Sequence, residues 1–312
     1  MRVVHDLAQV HPASRSYVTI GAFDGVHRGH QQFIAAMVEA AHSTKNTAIA
    51  LTFDPHPALI LGYPPPPLLT TAKERAEYLA ALGLDVLLVL PFTPATARTL
   101  AVDFIDALNH RLHLSELWGG SDFALGYRRE GNVSFLQRLG AERGFTMRIV
   151  EPLVWEGTLV SSSRIRTALK AGDIDQATGC LGRPYRLVGV IVQGRGVGRR
   201  IGMGTANLSP PPERLIPAGG VYACMAHTEH LGTHPAVVNI GTRPTFAGET
   251  LTVEAHLLDF DNDIYDQTLA LDFIARLRDE RPFPTPDALV TQIQNDIAQA
   301  RDRLGVVSCS NR

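Results

Sequence analysis

A short apolar segment, a glycine-rich turn and a helix follow one another near the start of the sequence. Residues 17–20 predict a buried strand, and from about His30 apolar residues recur at helical spacing. The turn between them carries three glycines and also His27. Because free N–H groups at a helix start and closely approachable glycines suit a phosphate, the pattern favours a nucleotide site. Many α/β proteins that have no nucleotide site share this strand–turn–helix pattern. The spacing alone is therefore compatible with a nucleotide site and with an ordinary turn.

The first 181 residues alternate between strand-like and helix-like segments. The predicted strands are residues 48–53, 85–90, 117–120 and 146–150, and the predicted helices are residues 71–82, 102–112 and 132–143. We expect Pro55 and Pro57 to exclude a helix after the second strand. The alternation favours a parallel sheet that binds ligands beyond the carboxyl ends of its strands. The turns at residues 21–30, 54–57 and 121–126 should therefore meet at one edge.

Beyond residue 184 the pattern changes to short β-type runs separated by turn residues. The predicted strands are residues 187–192, 220–226, 236–240, 251–260 and 268–273. This spacing indicates an antiparallel barrel or sandwich, and an amphipathic helix at residues 286–304 follows. We therefore predict an α/β domain with a Rossmann-like parallel sheet over residues 1–181 and an all-β domain with a terminal helix over residues 182–312.

Charge and cysteine content argue against several classes of function. Lys and Arg number 16 against 17 Asp and Glu in residues 1–181, and 13 against 14 in residues 182–312, so we expect no nucleic-acid partner. The three cysteines form no C-x-x-C motif, which is typical of a reducing cytoplasm. Neither a signal peptide nor a run of about eighteen apolar residues is present, so we expect a cytoplasmic protein without a membrane span.

Two further stretches carry groups that suit phosphates. One has three serine hydroxyls at a predicted helix start, followed by Arg164 and Arg166, whose guanidinium groups can bind phosphate oxygens in pairs. The other, residues 194–207, is rich in glycine and arginine and ends in Thr205 and Asn207, which offer the oxygen ligands that Mg²⁺ prefers. A capped surface helix and a plain glycine-rich turn would show the same patterns.

The histidine turn reads G-x-F-D-G-x-H-x-G-H, which resembles the signature of the nucleotidyltransferase superfamily. Its Phe-Asp-Gly version resembles the adenylyltransferase half of bacterial bifunctional riboflavin kinase/FAD synthetases. Residues 52–57, 120–126 and 160–166 are similar to the segments T-F-x-P-x-P, G-x-[ND]-F-x-F-G and I-S-S-T-x-I-R of that family. The resemblance implies a nucleotidyltransferase-type domain that adenylylates FMN with ATP and releases pyrophosphate.

The same resemblance implies roles for individual residues. The implied catalytic residues are His27, His30 and Arg166. The implied ATP- and phosphate-binding residues are Gly21, Phe23, Asp24, Gly29, Ser161, Ser162 and Ser163. The implied nucleotide- or flavin-binding residues are Phe53, Pro57 and Asp122.

The second half resembles the riboflavin kinase of the same family. Residues 194–207 are similar to the motif G-x-x-x-G-R-x-x-G-x-P-T-A-N, and residues 239–246 and 253–258 to N-I-G-x-x-P-T-F and V-E-x-H-L-L. The resemblance implies a closed antiparallel β-barrel that phosphorylates riboflavin with ATP. The implied phosphate-binding residues are Gly194, Gly198, Arg199 and Gly202. Thr205 and Asn207 are the implied Mg²⁺ ligands, and Glu254 is the implied general base.

Together the resemblances predict a bifunctional enzyme that makes FMN from riboflavin and FAD from FMN, with small molecules as its partners. One alternative is a chain with a single activity, in which adenylyl transfer is the one retained. A second is a flavin-binding regulator without turnover, which would be expected to lack His27, His30 or Glu254, although all three are present. A third alternative is an adenylyltransferase that acts on a different phosphate substrate. The motifs at residues 239–246 and 253–258 argue against it.

The chain has Gly204 where the kinase motif has proline. Proline fixes φ at about −65°, whereas glycine raises the entropy of the unfolded turn at a cost of about 1 kcal/mol. We therefore expect weaker binding of ATP and metal than with proline, without loss of activity. Gly204→Pro should lower the KM for ATP in a riboflavin phosphorylation assay, and an unchanged or raised KM would refute this.

Overall fold

A computed structural model describes residues 1–193, 204–245 and 248–306 of the chain. The chain divides into two compact units, Met1–Ser161 and Ser162–Arg312. Each unit has its own main sheet, and each has its own buried apolar residues. This division falls before the predicted functional boundary near residue 182, which stays a prediction.

The first unit is built on a parallel sheet. Its strands are β1 (Arg2–Val4), β2 (Ser16–Ile20), β3 (Thr47–Asp54), β4 (Val86–Pro91), β5 (Leu114–Gly120) and β8 (Thr146–Val150). Two short antiparallel pairs join β6 (Ala124–Leu125) to β7 (Gly131–Asn132) and β9 (Val154–Trp155) to β10 (Thr158–Leu159). The main sheet has the order β1-β4-β3-β2-β5-β8, and its strands all pair in parallel. The predicted parallel sheet is confirmed.

Helices connect these strands. The α-helices of this unit are α1 (Arg28–Ser43), α2 (Pro57–Ile60), α3 (Ala72–Ala81), α4 (Ala101–Leu112) and α5 (Val133–Arg143), and short 3-10 helices occupy Leu7–Gln9, Thr96–Arg98 and Tyr127–Arg129. Thr71 and Glu74 form a capping box at the start of α3, which lies in the predicted helix at residues 71–82. The expected absence of a helix after β3 is wrong. Pro57 occupies the first position of α2, where a missing N–H costs no hydrogen bond.

The sheet is buried on both faces. On β3, Ile49 and Leu51 pack into one apolar cluster, while Ala48 and Ala50 pack into another. Successive side chains of a strand point to opposite faces, so each cluster lies on one side of the sheet. Helices α4 and α5 contribute to the first cluster and α1 and α3 to the second. The strands therefore read as continuous apolar runs, which is typical of parallel sheets covered on both sides.

The strand order brings the three predicted turns together. β2 lies between β3 and β5, and the three strands run in the same direction. The turns at residues 21–27, 55–56 and 121–123 therefore follow the carboxyl ends of adjacent strands, as predicted. Ligands of open α/β sheets bind at this edge.

The second unit begins with α6 (Ser162–Ala171) and α7 (Ile174–Leu181). Its strands are β11 (Tyr185–Val192), β12 (Ala206–Ser209), β13 (Gly220–Thr228), β14 (Gly232–Thr245), β15 (Gly248–Leu257) and β16 (Thr268–Arg278). They form a closed barrel in the order β11-β12-β15-β14-β13-β16 with antiparallel neighbours, which confirms the barrel and excludes the sandwich. Across the described ranges of both units, no helix combines the length and apolarity needed to cross a bilayer.

The predicted terminal helix is present as α8 (Pro286–Leu304), and it packs on the barrel. It begins after the capping residue Thr285 and ends at Gly305, which adopts a left-handed conformation with φ 65°. On this helix Asp296 is only 2% exposed, and its carboxylate accepts a 2.8 Å hydrogen bond from the guanidinium group of Arg278 on β16. A buried carboxylate is stable only with such a partner, so the pair ties the helix to the barrel.

Asp296→Ala should lower the free energy of unfolding of the second unit by about 3 kcal/mol, because Arg278 would lose the partner of its partly buried charge. Asp259→Ala is the matched control. Asp259 forms an ion pair with Arg301 of α8, but the Asp259 side chain is 53% exposed. Its loss should therefore lower the free energy of unfolding by less than about 1 kcal/mol. Urea unfolding followed by circular dichroism measures both variants, and equal losses would contradict this account.

Candidate active sites

His27 and His30 lie together at the start of α1. His27 is the N-cap residue, and its Nδ1 accepts a hydrogen bond from the His30 backbone N–H at 3.3 Å. The two imidazole rings stack with their centroids 3.7 Å apart and their planes 16° apart. Because Nδ1 of a neutral His27 is an acceptor, the ring proton is on Nε2, and that atom is the donor. The helix start therefore adds an imidazole donor to its backbone N–H groups.

His30 is held in its neutral form. Burial lowers the pKa of His30 well below its ordinary value of 6.5, and repulsion from His27 whenever its ring is protonated, and from the positive charge of Arg75, acts in the same direction. The Nδ1 atom of His30 is buried and has no hydrogen-bond partner among the residues that the structure describes. Since buried polar atoms are normally satisfied, this unpaired nitrogen is an exception of the kind that occurs at functional sites.

Two glycines make room for aromatic rings in this turn. A Cβ at Gly21 would lie 3.0 Å from Cζ of Phe23, whose ring is buried and whose backbone has a positive φ of 48°. A Cβ at Gly29 would lie 3.2 Å from Nδ1 of His27. Both distances are too short for a relaxed contact, so the glycines allow Phe23 and His27 to fold back onto the turn.

Asp24 fixes the conformation of the turn through hydrogen bonds to residues that precede α3. Its buried carboxylate accepts hydrogen bonds from the backbone N–H groups of Leu69 and Thr70 and from the Thr70 hydroxyl, each within 3.1 Å. The Thr70 hydroxyl in turn accepts a 3.0 Å hydrogen bond from the Gly25 N–H. These contacts indicate that Asp24 shapes the turn, and its predicted contact with ATP stays a prediction. Thr70 was missed by the sequence analysis, because nothing local marks it except the capping box that follows.

The predicted flavin- or nucleotide-binding residues follow the neighbouring strands. Phe53 packs edge-on against Phe92, with ring centroids 5.2 Å apart, and joins the sheet core. Pro57 begins α2. Asp122 is exposed just beyond β5, and its backbone carbonyl accepts a 3.0 Å hydrogen bond from Arg129. Of the three, Asp122 has the most accessible side chain, and the binding roles of all three stay predictions.

The serine and arginine stretch begins a helix, as predicted. Ser162 is the first residue of α6, and Ser163 and Arg166 lie in its first turns, within the second unit. Ser161 is the last residue of the first unit. The role of these residues in binding ATP phosphates stays a prediction.

Glu254 lies on β15, between polar residues of the two neighbouring strands of the barrel. The strand register places it opposite Asn207 of β12 on one side and opposite Asn239 of β14 on the other. It is half-buried and lines a cavity of about 280 Å³. Other residues that line this cavity are Thr205, Asn239, His256, Arg278, Phe283 and Leu289. The carboxylate is thus beside a cavity of mixed polar and apolar character, and Asn239 is a neighbour that the sequence analysis missed.

A second cavity, of about 340 Å³, adjoins the start of β12. It is lined by Thr205, Asn207, His256, Asp261, Asp263 and Tyr265, among others. Thr205 and Asn207 fit a Mg²⁺ ion that keeps phosphate oxygens and water as its other ligands, because both offer oxygen donors. Among the described residues, no cluster of three or more His, Cys, Asp or Glu could hold a metal ion. The predicted phosphate-binding residues Gly194, Gly198, Arg199 and Gly202 lie outside the described residues.

Acid should destabilise the first unit, in part through His30. The unfolded ring binds a proton near pH 6.5 while the folded ring, whose pKa is lowered, does not, so stability falls as the pH drops below that value. When the pH falls from about 7.5 to about 5.5, the free energy of unfolding of His30→Gln should decrease by about 1 kcal/mol less than that of the wild type. Tryptophan fluorescence during urea unfolding measures this, because both tryptophans lie in this unit. Parallel pH dependences of the two proteins would contradict it.

Comparison with known proteins matches both units. The sequence model of a family described as FAD synthetase matches residues 10–164, and that of a family described as riboflavin kinase matches residues 181–304. The chain thus carries both regions, in the order in which the sequence motifs place them.

Relatives of similar length carry both regions together. A bifunctional riboflavin kinase/FMN adenylyltransferase of Pseudomonas fluorescens is 36% identical over 304 residues, which cover 96% of this chain and 97% of the relative. That of Escherichia coli strain K12 is 35% identical over 98% of each chain. A crystal structure described as a macrolide-efflux protein from Streptococcus pneumoniae has a TM-score of 0.88 and 28% identity, covering 96% of this chain and 98% of that one. By these matches, the chain belongs to the family of bifunctional riboflavin kinase/FMN adenylyltransferases.

Proposed function

We propose that this chain makes both flavin nucleotides. It phosphorylates riboflavin with ATP to give FMN, and it transfers the adenylyl group of another ATP to FMN to give FAD and pyrophosphate. The observation that carries the proposal is the presence of two separate sites suited to phosphates in a chain whose relatives are named for both activities. One is the histidine turn, and the other surrounds Glu254.

Adenylyl transfer needs stabilisation of charge more than a strong base. The phosphate of FMN is already an anionic nucleophile. One of its oxygens forms the new bond to the α-phosphorus of ATP, and the bond from that phosphorus to the oxygen of pyrophosphate breaks. We assign His27 and His30 to hydrogen bonds with the phosphate oxygens of ATP. Neutral imidazole donors at a positive helix end stabilise the charge that develops on pyrophosphate as it leaves.

Other residues of this half would support that chemistry. Gly21, Phe23, Asp24 and Gly29 are proposed to shape the turn so that its backbone can approach the triphosphate, a role supported by their tight packing. We further propose that Ser161, Ser162, Ser163 and Arg166 bind the phosphates of ATP and that Phe53, Pro57 and Asp122 border the nucleotide or flavin. Guanidinium and hydroxyl groups at a helix start are suited to the first of these roles.

Riboflavin phosphorylation needs a base and a means of holding ATP in place. We propose that the Glu254 carboxylate takes the proton of the flavin 5′-hydroxyl. The freed oxygen bonds to the γ-phosphorus of ATP, and ADP leaves with the electrons of the broken P–O bond. Thr205 and Asn207 would hold Mg²⁺, which when bound neutralises charge on the phosphates. Gly194, Gly198, Arg199 and Gly202 are proposed to bind the same phosphates.

A narrower function is favoured by one observation. Gly204 replaces the proline of the kinase motif, so a chain that retains adenylyl transfer alone is the second candidate. In the main proposal residues 1–181 carry the adenylyltransferase and residues 182–312 the kinase. A cytoplasmic location is proposed on the sparse cysteines, of which Cys180 and Cys224 are buried and not in a disulfide.

His30→Ala and Glu254→Ala should each stop a different reaction. With riboflavin, ATP and Mg²⁺, Glu254→Ala should lower FMN formation about 100-fold or more, because a general base is lost, yet it should still convert added FMN to FAD. His30→Ala should accumulate FMN, with FAD formation reduced about 100-fold. Chromatographic separation of the flavins measures both.

Exposed residues of the same types provide the controls. His42→Ala, on the same helix as His30, and Glu213→Ala, in the second unit, should leave both reactions at wild-type rates. If one of the two site variants stopped both reactions, the proposed division of labour between residues 1–181 and residues 182–312 would be wrong. If the wild-type chain made FAD from FMN but no FMN from riboflavin, the narrower function would hold.

A further inference from the structure

A histidine contacts the backbone just before the proposed metal ligands of the kinase. Nδ1 of His256 donates a hydrogen bond to the backbone carbonyl oxygen of Gly204 at 2.8 Å. Gly204 directly precedes Thr205, and both Thr205 and His256 line the two cavities of this site. The hydrogen bond therefore joins β15 to the beginning of the segment that carries Thr205 and Asn207.

The same strand carries the proposed general base. Glu254 and His256 are two residues apart on β15, so they lie on one face of the strand, and both line the cavity of about 280 Å³. The register pairs Asn207 with Glu254 and Ala206 with Ala255. One strand thus sets the position of the base and, through His256, that of the backbone ahead of Thr205.

Glycine at position 204 does not itself restrict the backbone conformation. A Cβ built at this position would meet no atom of the described residues within 4 Å, and the backbone is not in the left-handed region. Glycine also lacks the fixed φ of the proline in the kinase motif. The hydrogen bond that His256 donates is therefore a restraint on the direction of the Gly204 carbonyl.

We propose that His256 is a positioning residue for phosphoryl transfer. By holding the Gly204 carbonyl, it fixes the backbone ahead of Thr205 and so directs the Thr205 hydroxyl and the Asn207 amide at the ATP phosphates and their metal. His256 acts through Gly204 and replaces part of the rigidity that proline provides in the motif. This role rests on the proposed kinase function.

The first test compares His256→Ala with His256→Asn. The alanine variant loses the donor, so its KM for ATP in riboflavin phosphorylation should rise about fivefold while kcat changes less. Asparagine places an N–H close to the position of Nδ1 and should keep most of the wild-type KM. FAD formation from added FMN should be unchanged in both variants, which shows that the effect is confined to the kinase, and an unchanged circular dichroism spectrum shows that the barrel is folded.

A matched control is His227→Ala. His227 is another barrel histidine with two side-chain hydrogen bonds, to Thr233 and Asp272, and it lines neither of the two cavities. Its loss should leave the KM for ATP at the wild-type value. An increase equal to that of His256→Ala would mean that the effect is a general loss of barrel stability, and the proposed role would be wrong.

The second test uses the missing proline. Gly204→Pro should lower the KM for ATP more in the His256→Ala chain than in the wild-type chain, because proline restores the restraint that the histidine supplied. Equal effects in both backgrounds would contradict the proposal, as would a His256→Asn variant as impaired as His256→Ala.

Hydrogen exchange gives a readout that does not depend on activity. Without ligands, the backbone amides of residues 205–208 should exchange about fivefold faster in His256→Ala than in wild type, and at the wild-type rate in His256→Asn. If the wild-type chain made no FMN, the kinase proposal would fail, while this exchange would still report whether His256 holds the segment. Unchanged exchange in His256→Ala would overturn the positioning role.

Discussion

Strand β15 forms hydrogen bonds along both of its edges, and the candidate kinase site depends on that pairing. Closure of the barrel places β12 on one side of it and β14 on the other, so that Glu254 lies between Asn207 and Asn239. Residues that are far apart in the sequence thereby become neighbours beside a cavity. A slip of the register by one residue would turn Glu254 to the opposite face of the barrel and dismantle the site.

The first unit positions its candidate phosphate site by a different means. The parallel order of its sheet places the turn after β2 between the ends of two neighbouring strands, and α1 starts in that turn. Hydrogen bonding and packing then fix the turn. The Thr70 hydroxyl donates a hydrogen bond to the Asp24 carboxylate, and the His27 ring packs against Gly29. Burial keeps His30 neutral, so this site offers hydrogen bonds and a helix end rather than a cluster of positive charges.

Many of the helices and strands could be predicted from the sequence because their signals are local. The capping box at Thr71, the strand at Thr146–Val150 and the helix at Pro286–Leu304 are each encoded by a few adjacent residues. What could not be predicted depends on pairing between distant segments. β12 was hidden at the end of a glycine-rich stretch, and the neighbours of Glu254 follow from a register that only barrel closure sets. The hydrogen bond from His256 to Gly204 is of the same kind.

Our proposal gives the chain two places for ATP, one at the start of a helix and one beside a barrel strand. Calorimetric titration of the full chain with a non-hydrolysable ATP analogue and Mg²⁺ tests this most directly. The account predicts that two equivalents bind per chain. Saturation at a single equivalent would contradict it.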